Sequence, residues 1–141
     1  MPYLVDANVL CESSKSSPEP AVLQWLADHD AELHVSVLSL GEMLKAIHLM
    51  DAGNRRHDIE RWYQRIERWA ANRLLVMDAP VMTTWGRFYA KHQRTGRKLP
   101  LMDSLLAATA LQHQLTIVTR NTPDFPDDVP VLSPWDASAN R

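Results

Sequence analysis

The amino-acid sequence predicts an α/β protein with a central parallel sheet of four to five strands flanked by helices. Three observations carry this. Short apolar runs alternate along the chain with longer segments of helical periodicity. Some connections between runs have room for two helices, which suits a parallel sheet covered on both faces. The 141 residues fit one core, and 45% hydrophobic with 23% charged residues is an ordinary globular composition. A single domain over residues 1–135 is expected, followed by a short tail at 136–141 with little core potential.

Each element has its own signal. Tyr3-Leu4-Val5 reads as a short buried strand, and the Ser- and Pro-rich stretch from Asn8 to Pro20 as a loop or irregular turn. From Ala21 to Asp28, Val22, Leu23, Trp25 and Leu26 suit a short helix, and Glu32 to Val37 a second strand. Ser39-Leu40-Gly41-Glu42 has the spacing of a capping box, opening a helix whose inner face would be Met43, Leu44, Ile47 and Met50. Ile59, Trp62, Ile66 and Trp69 make one apolar stripe on the next helix. Leu74 to Met77 reads as a third strand, with Asp78 as N-cap and Pro80 early in a helix that uses Val81, Met82, Trp85, Phe88 and Tyr89 and stops at Gly96. A helix from about Met102 to Gln114 precedes a fourth strand at Leu115–Thr119, and Val131-Leu132 suits a last one.

The bulk chemistry excludes several classes. One cysteine, Cys11, forms no internal disulfide, and no Cys/His group has the short spacing of a zinc site, which points to a reducing, cytoplasmic home. Asp6 interrupts the first apolar stretch and no basic leader precedes it, so no secretory signal is expected; no apolar run approaches the ~20 residues of a membrane span. A net charge of −2 gives no global argument for nucleic-acid binding, so local charge must carry any such case.

In a parallel sheet the carboxyl ends of the strands are where chemistry gathers, and acids mark several of them. Asp6 follows the first strand, Glu42 lies near the start of the helix after the second, Asp103 begins a helix after Pro100, and Asn121 and Asp124 follow the fourth strand. Asp103 needs a return path. Val81–Thr95 would carry the chain ~22 Å along a helix axis, and the next six residues span at most ~20 Å extended, enough to come back. Converging carboxylates repel one another and remain ionised when a cation neutralises them; all-oxygen ligation favours Mg²⁺ or Mn²⁺ over zinc. Each position also has a plain structural reading: a turn cap for Asp6, the capping-box partner of Ser39 for Glu42, a first-turn dipole partner for Asp103, and a turn before Pro126 for Asn121 and Asp124.

Four stretches sharpen the choice: Leu4-Val5-Asp6-Ala7-Asn8-Val9-Leu10, Ser36-Val37-Leu38-Ser39-Leu40-Gly41-Glu42, Leu99-Pro100-Leu101-Met102-Asp103-Ser104-Leu105-Leu106-Ala107-Ala108-Thr109-Ala110, and Leu115-Thr116-Ile117-Val118-Thr119-Arg120-Asn121-Thr122-Pro123-Asp124-Phe125. In this order and at this length the chain resembles a PIN domain, most of all the VapC-type toxins of bacterial toxin–antitoxin pairs. The resemblance implies a PIN-like fold, a metal site using Asp6 and Asp103 directly with Glu42 as a further acid, Mg²⁺- or Mn²⁺-dependent hydrolysis of RNA phosphodiester bonds, a homodimer and a cognate antitoxin. Some relatives place an acid where Asn121 stands. Asn121 can still coordinate through its amide oxygen, Asp124 can supply the charge, and the fourth catalytic position is left open between them. Asn8 and Thr119 are expected to hold the carboxylates or bind water, or else to serve ordinary turn hydrogen bonding.

Arg87, Lys91 and Arg94 recur at helical spacing, and Arg97 with Lys98 extends this positive stripe toward Asp103, a candidate phosphate track. Arg61, Arg65 and Arg68 lie among Glu60 and Glu67 and read as surface ion pairing. Trp25 or Trp62 is a candidate receiver of an antitoxin's amphipathic segment. Two rival readings remain. A phosphoacceptor signalling domain would use Asp78 after Leu74–Met77, but Val5-Asp6-Ala7 supplies one acid where such a domain pairs two. A catalytically silent PIN scaffold that binds RNA or protein is the other, opposed by the retained Asp6, Glu42 and Asp103.

Overall fold

A computed structural model describes residues 2–136. Its five strands form one parallel sheet in the order β3-β2-β1-β4-β5, where β1 is Tyr3–Val5, β2 Leu33–Ser36, β3 Leu74–Leu75, β4 Thr116–Val118 and β5 Val131–Leu132. Six helices connect them: α1 Ala7–Leu10, α2 Pro20–Asp28, α3 Val37–His48, α4 Asn54–Ala70, α5 Ala79–Arg94 and α6 Leu101–His113. This is the doubly covered α/β architecture expected from the alternation. Apart from Asp136, the expected tail lies outside the described residues.

Strand alternation sorts the core into two halves, because successive side chains leave opposite faces of a sheet. Val5, Val35 and Val118 pack with Val9, Val22, Trp25, Met43, Ile47 and Trp62. Leu4 and Ile117, one residue earlier on the same strands, pack with Phe88, Leu99, Leu106, Ala107 and Phe125. Helices α1 to α4 therefore cover one face and α5 with α6 the other. Among the described residues no helix is long and apolar enough to cross a membrane.

Four local expectations need correction. Of the stretch from Asn8 to Pro20 only residues 15–19 are loop: Asp6 caps α1, a 3-10 turn continues through Cys11–Ser14, and Ser13 and Ser14 donate to the Leu10 and Cys11 carbonyls at 2.9 and 2.7 Å. The serines that read as breakers satisfy backbone acceptors and prolong the turn. Next, α3 starts two residues before the proposed capping box, with Ser36 as N-cap accepting from Leu38 N–H at 3.1 Å. Ser39 lies inside the helix, its buried hydroxyl without a hydrogen-bond partner among the described residues. Leu44 faces solvent rather than the core. Finally, Trp25 is 2% exposed, stacked on His29 at 4.2 Å and edge-on to Tyr3 at 5.0 Å, while buried Trp62 donates to Ser13 Oγ at 2.8 Å. Both rings are core, so neither offers the surface anchor considered for a partner.

Two further expectations are trimmed: β3 ends at Leu75, leaving Val76 exposed, and Met82 of α5 faces solvent rather than the core, while the boundary signals of α5 hold. Asp78 caps α5 by accepting from Val81 N–H at 3.1 Å, which accounts for its charge without a phosphoacceptor role. Gly96, at φ +85°, ends α5: Arg97 N–H reaches the His92 carbonyl at 2.9 Å and Gly96 N–H the Gln93 carbonyl at 3.1 Å. This paired closure needs a left-handed residue, which glycine supplies without steric cost.

Candidate active site

With β1 at the centre of a parallel sheet, the residues that follow β1, β2 and β4 leave from one edge. Asp6 leaves β1, and its backbone N–H still donates to the Val118 carbonyl of β4 at 2.9 Å. Glu42 stands on α3 after β2. Thr119, Asn121 and Asp124 follow β4, and the connection after Gly96 brings Asp103 back on the first turn of α6.

Asp6 is 8% exposed and tightly held. Its Oδ1 accepts from Ala7 N–H at 2.7 Å, and its Oδ2 from Thr119 Oγ1 at 2.9 Å and from Asn8 Nδ2 at 3.4 Å. Asn8 also donates to Thr119 Oγ1 at 3.2 Å and accepts Arg120 N–H at 3.2 Å through Oδ1, tying the α1 turn to the end of β4. Burial pushes the Asp6 carboxyl above the usual carboxylate range, opposed by the Thr119 and Ala7 hydrogen bonds.

The other acids are held differently. Asp103 is raised by burial and then by the charges of Asp6 and Asp124. Glu42 is raised by loss of hydration at its carboxyl and then by Asp6 and Asp103, with Lys45 opposing, although the residue as a whole is exposed. These mutual effects bring Asp6, Glu42, Asp103 and Asp124 into one electrostatic cluster. Asn121 stands at its rim, exposed, with its N–H donating to Thr119 Oγ1 at 3.2 Å. Asp103 and Asp124 flank a narrow cleft walled by Phe88, Leu99, Ala107 and Phe125.

Among the described residues no three His, Cys, Asp or Glu side chains form a ready-made metal cage. The donor chemistry still suits a hard cation. Unlike Asp6, the carboxylates of Glu42, Asp103 and Asp124 accept no hydrogen bond from the described residues, and Mg²⁺ retains several waters, so it needs few direct protein oxygens.

Sequence reasoning missed three neighbours of this cluster. Buried Ser104 donates to the Leu101 carbonyl at 2.6 Å and accepts from Trp85 Nε1 at 2.9 Å, fixing the first turn of α6 beside Asp103. Ser36 holds the start of the helix bearing Glu42. The Cys11 thiol is raised by burial and then by the charges of Asp6 and Glu42, so it feels the same acids. The position of Asp103 before a helical apolar run gave a hint of Ser104; the others depend on tertiary packing. The expected phosphate track is also modified, because Lys91 is paired with Asp128 at 2.9 Å, an acid shared with His92 at 3.1 Å.

Residues 3–127 match the PIN domain family. The chain is 32% identical over 135 residues to Toxin FitB of Neisseria gonorrhoeae, covering 94% of this chain and 97% of FitB. It is 28% identical over 136 residues to VapC ribonuclease Y4jK of Sinorhizobium fredii, covering 94% and 97% of the two chains. In three dimensions it is similar to a chain in the structure of FitAB bound to IR36 DNA fragment, with a TM-score of 0.86, 31% identity and coverage of 95% and 96%. The family match across the strands, the acidic edge and both flanking layers establishes that this chain belongs to the PIN-domain family.

Proposed function

We propose that this protein is a Mg²⁺- or Mn²⁺-dependent endoribonuclease, the toxin of a toxin–antitoxin pair, with Asp6, Glu42, Asp103 and Asp124 as its acidic residues and Asn121 at the rim. The observation that carries the reading is the gathering of four carboxylates from four separate segments at one sheet edge, three of them without a donor among the described residues. Asp6 and Asp103 are the direct metal ligands in this reading. A bound hard cation would polarise the scissile phosphate and acidify a water. Asp6 is held in one orientation by Ala7, Thr119 and Asn8, so its carboxylate is preorganised. Glu42, whose carboxylate oxygens accept no hydrogen bond from the described residues, is suited to accept the proton of the attacking water. Asp103 is kept in place by the Trp85–Ser104–Leu101 hydrogen bonds behind it.

A cognate antitoxin and a homodimer belong to the same reading. Support comes from the toxin name of FitB, from the FitAB complex, and from exposed Leu101 and Met102 beside Asp103. RNA as substrate draws support from the ribonuclease name of Y4jK.

The test is cleavage of a pool of cellular RNA by partner-free protein with Mg²⁺, Mn²⁺ or EDTA. Discrete metal-dependent cuts, lost in Asp6→Asn and Asp103→Asn, are expected. Folded, partner-free protein that cuts nothing under any metal would leave the binding-only scaffold in its place.

A further inference from the structure

The acidic edge is poor ground for a polyanion unless cations meet its phosphates, and the cations near it are not equivalent. Lys91 is committed to Asp128 at 2.9 Å, and Lys15 to buried Glu12 at 2.6 Å. Arg120 is different. It directly follows Thr119, and its N–H is pinned to Asn8 Oδ1 at 3.2 Å, while the amide of that same Asn8 reaches Asp6 Oδ2 and Thr119 Oγ1. Its side chain is exposed, and the guanidinium carbon lies 4.8 Å from the centroid of the Trp135 ring. The Trp135 ring is partly buried and packed against the core, which makes it a seated platform, and its backbone N–H donates to Ser133 Oγ at 3.2 Å.

Among the described residues no carboxylate lies within ion-pair distance of Arg120, and its guanidinium makes no hydrogen bond. Glu12 senses its charge but is itself held by Lys15 and by Glu19 N–H. A guanidinium seated over a ring keeps N–H groups directed away from it, and these can match two phosphate oxygens. Because the platform restrains the side chain beforehand, less freedom is lost when a phosphate docks.

We infer that Arg120, braced on Trp135, is a phosphate-binding residue that holds the RNA strand beside the acidic site. This rests on the ribonuclease reading above and deepens it: the ligand is a backbone phosphodiester, bound without regard to base. It places one contact of the RNA path at the end of β4, where Arg120 N–H meets Asn8 of α1 beside Asp6.

The experiment is steady-state cleavage of single-stranded RNA across a salt series by wild type, Arg120→Ala and Arg120→Lys, with thermal unfolding of each. Arg120→Ala is expected to raise KM about ten-fold or more with little change in kcat, since a hydrogen-bonded charge contact is worth about that factor. The slope of log KM against log salt should fall by about 0.7, the share of one single-strand phosphate. Arg120→Lys should restore that slope, because it keeps the charge. Wild-type cleavage together with an unchanged KM and salt slope in Arg120→Ala would overturn the inference and leave the ribonuclease reading intact. Equal losses in the Ala and Lys variants, tracking a lowered Tm, would make the arginine a packing residue and also overturn it. A wild type that cleaves no RNA would remove both.

Discussion

Thr119→Val tests the idea that the hydroxyl at the end of β4 exists to hold an ionised Asp6. The substitution is nearly isosteric at a fully buried position and deletes three hydrogen bonds: donation to Asp6 Oδ2 at 2.9 Å, and acceptance from Asn8 Nδ2 and Asn121 N–H, each at 3.2 Å. The first is a bond to a charged acceptor, worth about 1.5–3 kcal/mol. Asn8 keeps its contact with Asp6 and Asn121 is exposed to water, so these two add little, and burying a methyl group returns up to about 0.8 kcal/mol. The net cost at neutral pH is therefore about 1–2 kcal/mol, or roughly 3–6 °C in Tm for a chain of this size. The sign with pH follows from linkage. Burial raises the folded-state pKa of Asp6 and the Thr119 hydrogen bond restrains that rise, so the variant pKa lies higher still. An acid whose folded pKa is raised loses stability as pH climbs from its unfolded value through its folded one, and the variant loses more. The deficit of Thr119→Val should thus be full above the raised pKa and shrink as pH falls through it. Thermal and denaturant unfolding in EDTA at neutral and mildly acid pH measure this, with Thr119→Ser, which keeps the hydroxyl and loses one buried methyl group, expected to show a deficit that does not change with pH. A Thr119→Val protein as stable as wild type at neutral pH, or one whose deficit grows on acidification, would refute the reasoning.

The same logic gives further outcomes. In EDTA at neutral pH, Asp103→Asn should raise Tm by a few degrees while abolishing cleavage, because it removes a partly buried charge repelled by Asp6 and Asp124; an unchanged or lowered Tm would count against crowding. Since Asp6, Glu42 and Asp103 are all shifted upward, metal-free wild type should gain stability as pH falls from neutral into the range of these raised carboxyls, and Mg²⁺ or Mn²⁺ should flatten that dependence. A pH–stability profile indifferent to divalent ions would argue against a metal among these acids. At the other end of the site, Ser36→Ala should cost about 1 kcal/mol as the loss of an N-cap, whereas Ser39→Ala, which deletes a buried hydroxyl with no partner, should be neutral or stabilising. Equal losses for the two serines in denaturant unfolding would reverse the capping assignment.

Much of this protein is legible one segment at a time. The apolar runs of β1, β2 and β4, the Asp78–Pro80 start of α5 and the Gly96 stop are short-range effects, decided by a few neighbouring residues and the conformations they permit. The acids, too, could be singled out because Asp6, Glu42, Asp103 and Asp124 each stand near an element boundary, and the local motifs around them resemble a PIN domain. Where local signals competed, they misled. Ser36 and Ser39 both have cap chemistry, and the choice fell to Ser36 because Val37 and Leu38 already follow the end of β2 into the helix. Ser13 and Ser14 have loop chemistry, yet their hydroxyls bond to turn carbonyls.

What the sequence determined by itself was therefore the element types and the residues able to do chemistry. Tertiary structure decided which of them meet. The order β3-β2-β1-β4-β5 sets Thr119 against Asp6, 113 residues apart, and periodicity carries no information about strand order. Partnership of charges is equally non-local: Lys91 belongs to a basic stripe in the sequence but is neutralised by Asp128, while Arg120, isolated in the sequence, has no ion-pair partner among the described residues and gains an aromatic brace from Trp135. A carboxylate or guanidinium takes its properties from hydration and from the charges nearest in space, and those are fixed only when the sheet closes.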